Sequence, residues 1–117
     1  MAREAYGTFR HPAVVPVSQL GANTFLLELF HGPTCAFKDF GARTLAQFMS
    51  RANAGGPPIT ILVATSGDTG SAVACAFHNL PNTRVVVLYP KGQVSAVQEA
   101  QFTTLGGNVT AVEVAGT

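Results

Sequence analysis

ITILVATSGDTG, Ile59 to Gly70, joins a near-continuous β-branched run to a turn punctuated by two glycines. An apolar run of this length without polar alternation fits a strand of a parallel sheet covered on both faces. The SGDTG that follows turns the strand into a helix, predicted over about Thr69 to Asn79. Strand, glycine turn and helix in that order make the first half of a βαβ unit.

Working outward, Arg84 to Tyr89 (RVVVLY) is a second buried strand, ended by Pro90 and Gly92. Ser95 to Leu105 reads as a helix, with Ser95 as N-cap, Gln98 completing a capping box and Gly106 as the C-terminal stop. Asn108 to Val114 is a last strand. Upstream, Thr24 to Phe30 (TFLLELF) is a short apolar run consistent with a strand, followed by a loop at Gly32-Pro33. Phe37, Phe40, Leu45, Phe48 and Met49 give a helix over about Ala36 to Ala52 with apolar side chains around much of its barrel. Gly55, Gly56, Pro57 and Pro58 break it. The fold class is α/β, an open parallel sheet with helices on both faces. Residues 1–23, with Pro12 and Pro16, are expected to be an irregular leading segment, and residues 24–117 the α/β unit.

At 117 residues the chain has the length of one domain, yet 47% of it is apolar and only 11% charged. That balance implies apolar surface left to cover, as in a fragment or a subdomain packed on something larger. A compact, fully buried core is the alternative reading. The net charge is +1 and the five arginines are scattered, which argues against nucleic acid as a partner. No apolar run approaches the roughly 20 residues of a membrane span, and MAREAYGTFRHP lacks the core of a signal peptide. Cys35 and Cys75 are too few for a disulfide framework or a structural zinc site, and the histidines show no metal-ligand spacing, so no metal is expected. A cytoplasmic chain with free thiols fits these features.

The chemistry centres on two stretches. Lys38 is one of two lysines and stands among apolar residues where a loop becomes a helix. Desolvation favours the neutral amine, which can attack a carbonyl, so Lys38 is a candidate Schiff-base former. The other reading is a surface lysine whose stem lies along apolar surface. Thr65 to Gly70 sits beyond the carboxyl end of a strand, where open α/β sheets bind ligands. Its glycines allow close approach of a ligand, the helix N-terminus attracts a carboxylate or phosphate, and Ser66 and Thr69 add hydroxyls. Asp68 competes for the same N–H groups, so it caps the helix or accepts from a cationic ligand group. A plain capped turn is the alternative. His31 either lines the lysine's pocket or is a hydrogen-bonded loop residue, and Lys91 reads as a solvated charge. Asp39 fits a first-turn helix position, pointing away from Lys38. Dinucleotide, P-loop and nucleophile-elbow spacings do not occur.

HGPTCAFKDFGAR (31–43), VATSGDTGSAVA (63–74), VVVLYPKG (85–92) and QEAQFTTLGGNV (98–109) together resemble the threonine synthase family, pyridoxal-phosphate enzymes of fold type II. The resemblance implies that Lys38 bonds pyridoxal 5'-phosphate, with Phe37 and Asp68 near the cofactor. It implies that Thr65, Ser66, Gly67, Asp68 and Thr69 lie near the substrate carboxylate. The implied reaction is a lyase step, O-phospho-L-homoserine and water to L-threonine and phosphate. Many relatives carry asparagine at Asp68, and Cys35 replaces a leucine in the lysine loop. The family is several times longer, so the chain is expected to be its small α/β domain, without the large C-terminal domain that holds the cofactor phosphate. A threonine synthase-like phospho-lyase and a non-catalytic anion-binding α/β module are the alternatives. Isolated, the chain is expected to be inactive, its partner being that missing domain or a complementary chain.

Overall fold

A computed structural model describes residues 1–116. Its centre is a three-stranded parallel sheet in the order β3 (Ile59–Ala64), β4 (Thr83–Pro90) and β5 (Val109–Val114). Ile61 pairs with Val85 and Val85 with Val109, so the inward residues of the three strands form one row. The connections are α3 (Asp68–Phe77) and α4 (Ala96–Thr103), and α2 (Lys38–Ala52) packs beside α3. Each of these elements falls within about two residues of its sequence expectation, because β-branched runs and the Ser95 cap are local signals. Ser95 Oγ does accept from the Gln98 N–H, at 3.3 Å.

The sheet's two faces differ. Val85, Val87 and Phe77 are fully buried between sheet and helices, with Ala46, Ala74 and Phe102, while Ile61, Val63 and Ala111 pack on them. Leu62 on the opposite face is 66% exposed, and Val112 and Val114 are also open. The open parallel sheet flanked by helices is thus present. Among the described residues, however, helices cover only one face, so β3 is not covered on both.

The leading segment is more ordered than expected. Residues 1–23 contain α1 (Ala2–Tyr6) and β1 (Val17–Gly21). Tyr6 and Phe9 pack tilted and edge-on against Phe40 of α2, and Arg43 Nε donates to the Ala5 carbonyl at 2.6 Å. These contacts join residues far apart in the chain, which is why proline-rich local sequence hid them. Thr24 to Phe30 needs a second correction. Only β2 (Thr24–Leu27) is strand, and it pairs antiparallel with β1 in a separate hairpin rather than entering the parallel sheet. The Ser18 hydroxyl bonds Glu28, whose other oxygen pairs with His31 Nε2 at 2.6 Å. Among the described residues no helix is long and apolar enough to cross a membrane. The radius of gyration, 15.8 Å, exceeds the roughly 13 Å expected of a compact domain of this length.

Candidate functional site

Lys38 is the first residue of α2, preceded by Phe37 at the N-cap. Its Nζ stands 4.3 Å from the centroid of the Phe37 ring and has no ion-pair partner among the described residues. The loop before it is fastened by Asp39, a fully buried carboxylate that accepts from Thr34 N at 2.9 Å and Thr34 Oγ1 at 2.7 Å. Gly32 lies so close that a Cβ there would come within 2.3 Å of Asp39 Oδ2. Asp39 is thus a first-turn residue, as expected, but its work is to anchor the loop that presents Lys38. Cys35 in that loop has φ 61°, a left-handed conformation costly for a non-glycine residue and held by the surrounding loop.

The second wall is the turn from β3 into α3. The Thr65 hydroxyl accepts from Gly67 N and from Gly70 N, each at 3.0 Å, and donates to the Gly67 carbonyl. Thr65 therefore shapes the turn from within. A Cβ on Gly70 would fall 2.2 Å from Thr65 Cγ2, so glycine is required there by space. Gly67 at the N-cap of α3 offers no side-chain cap; Thr65 takes the Gly70 N–H, and nothing among the described residues accepts from the backbone N–H groups of Asp68 or Thr69. Of the two roles expected for Asp68, capping the helix is not met. Its Oδ1 instead accepts from Gln98 Nε2 at 2.6 Å.

Lys38, the Thr65–Thr69 turn and Gln98 line one open cleft of about 430 Å³. Six of the seven expected site residues, Lys38, Thr65, Ser66, Gly67, Asp68 and Thr69, meet there. Phe37 lines the adjoining apolar hollow, which shares Lys38 and Thr69 with the cleft. His31 is held by Glu28 and lies outside it, as a loop histidine. Lys91 is exposed, 3.7 Å from Glu113. Gln98 was visible in the sequence only as a capping residue, because its reach to Asp68 depends on how α4 docks against α3.

A protein-family model, pyridoxal-phosphate dependent enzyme, matches residues 10–117. The chain belongs to that family. It is 56% identical over 108 residues to threonine synthase of Escherichia coli, covering 92% of this chain and 24% of that protein. Threonine synthase of Schizosaccharomyces pombe is 43% identical, over 86% of this chain and 21% of the relative. Among solved structures, PLP-bound threonine synthase from Brucella melitensis superposes with a TM-score of 0.89 at 53% identity, over 95% of this chain and 24% of that one. The chain spans about a quarter of the length of the curated relatives it matches. That proportion agrees with the fragment expected from the sequence.

Proposed function

We propose that the chain is the lysine-bearing part of a threonine synthase, acting on O-phospho-L-homoserine to give L-threonine and phosphate. The observation that carries this reading is the meeting of Lys38 and the TSGDTG turn on one cleft. The residues fit the reactive end of pyridoxal phosphate: an amine that has no ion-pair partner among the described residues shares a cleft with a helix start whose first two N–H groups find no acceptor among them. Lys38 would hold the cofactor through that amine, with Phe37 beside it. Bound there, the cofactor would act as an electron sink for carbanions.

The chain's own residues would do the rest. The free N–H groups and dipole end of α3 suit the substrate carboxylate. Ser66 and Thr69 offer hydroxyls at the same rim, and Thr65 holds the turn rigid from below. Lys38, when its amine is released, can carry a proton at Nζ. Asp39 keeps that amine on the cleft by fixing the preceding loop. Grip on the cofactor phosphate would come from the remaining three quarters of the relatives' length, present as a large domain or as a complementary chain in the cytoplasm. The exposed sheet face around Leu62 agrees with such a neighbour.

The test is labelling. Incubation with pyridoxal phosphate, borohydride reduction and peptide mapping should mark Lys38 well above Lys91. Equal marking of both lysines would defeat the assignment. The chain alone should release no phosphate from O-phospho-L-homoserine, and turnover should appear when a complementary large domain is supplied.

A further inference from the structure

We propose that Gln98 is a positioning residue that holds the Asp68 carboxylate off the first turn of α3, a role that rests on the anion reading of that turn. An aspartate at a helix start is drawn to the unsatisfied N–H groups and to the positive end of the dipole. Asp68 is so placed, yet among the described residues its carboxylate accepts from none of the first-turn N–H groups. Its carboxylate is turned aside to Gln98 Nε2, at 2.6 Å.

Gln98 can do this because both its ends are fixed. In an ordinary capping box the third-position side chain returns to the backbone N–H of the cap residue. Here Oε1 instead accepts from Ser95 Oγ at 2.9 Å, which leaves the amide nitrogen facing Asp68, thirty residues away in sequence. The backbone of α4 is tied to α3 at the same place, where the buried Ser71 hydroxyl donates to the Gln98 carbonyl at 3.4 Å. Gly67 lies beneath the clamp: a Cβ there would come within 2.8 Å of Nε2. The clamp therefore resolves the conflict between a carboxylate and an anion site in one turn. Asp68 stays at the rim, and the N–H groups stay open.

The test uses backbone amide NMR with inorganic phosphate as the probe. Gln98→Met removes the donor at nearly constant volume, and Gln98→Glu keeps a third-position acceptor for Ser95 while repelling Asp68. In either variant the freed carboxylate should fold back over the start of α3, slowing exchange at the Asp68 and Thr69 amides, the two first-turn N–H groups without an acceptor among the described residues. Phosphate binding at the turn should weaken about two- to fivefold, the weight of a charge at a helix end. Adding Asp68→Ala to Gln98→Met should reverse both effects, because the competing carboxylate is gone. A purely structural Gln98 predicts the opposite, a double variant at least as impaired as the single. Unchanged amide exchange in both single variants, or no reversal in the double, would overturn the proposal. If phosphate fails to shift these amides in the unsubstituted chain, the anion reading falls alone, and the exchange comparison still decides the role of Gln98.

Discussion

The two faces of the parallel sheet carry similar residues and have opposite fates. On one face Val85 and Val87 are sealed beneath α3 and α4, with Phe77 and Phe102 filling the space between. On the other, Leu62, Val112 and Val114 stand open, although their neighbours in the register are also apolar. Strand composition responds to both faces at once, so it does not report which face of this chain is covered. A strand as apolar as Ile59–Ala64 with one bare face leaves an apolar patch open, of the kind that interaction surfaces carry.

Breaking the covered face should give the largest effect. Phe77→Ala should cost about 3–5 kcal/mol in urea unfolding, since a fully buried ring leaves a cavity as well as lost burial. A loss below 1 kcal/mol would mean that the helix layer is not tightly packed. Asp39→Ala comes next. It strands the Thr34 N–H and hydroxyl and should cost about 1–3 kcal/mol, with weaker labelling of Lys38 by pyridoxal phosphate because the loop is released. Intact labelling alongside lost stability would separate the anchor from the site.

The cysteines sharpen the same contrast. Burial pushes the Cys75 thiol above its ordinary pKa, whereas Cys35 is exposed. A thiol reagent at pH 8 should modify Cys35 first and Cys75 at least about tenfold more slowly, because thiolate is the reactive form. The Cys75 rate should keep climbing as pH passes the ordinary thiol value of 9.0. Similar rates at pH 8 would show that α3 opens readily. The smallest change is expected on the open face. Leu62→Thr should alter the stability of this chain by no more than about 0.5 kcal/mol in urea unfolding. A cost approaching that of Phe77→Ala would mean that the face is already covered.

Much of the fold was legible because its signals are local. A β-branched run and a serine cap are each decided within a few residues, and β3 and the start of α4 followed them, whereas α4 ends at Thr103, ahead of the expected stop at Gly106. The leading segment was not legible. α1 is held by Phe40 and Arg43, and β1 exists only because Thr24–Leu27 folds back on it. The site divides the same way. The residue types at Lys38 and in TSGDTG marked both stretches as candidates, an amine and a glycine turn at a helix start, and the structure brings them to one cleft. The tasks of Thr65 and Asp39 did not show, since a hydroxyl or carboxylate is assigned only when its partners are in place.

Residue types alone, through backbone preference and side-chain chemistry, thus settled the parallel strands and helices and singled out the two loops that line the cleft. Tertiary structure decided what no neighbouring residues can specify: which sheet face is covered, which way Asp68 turns, and that α4 lends Gln98 to the turn. The physical reason is range. Steric preference and capping act within one turn of chain, whereas burial and the direction of a buried or clamped polar group depend on elements brought together only by folding.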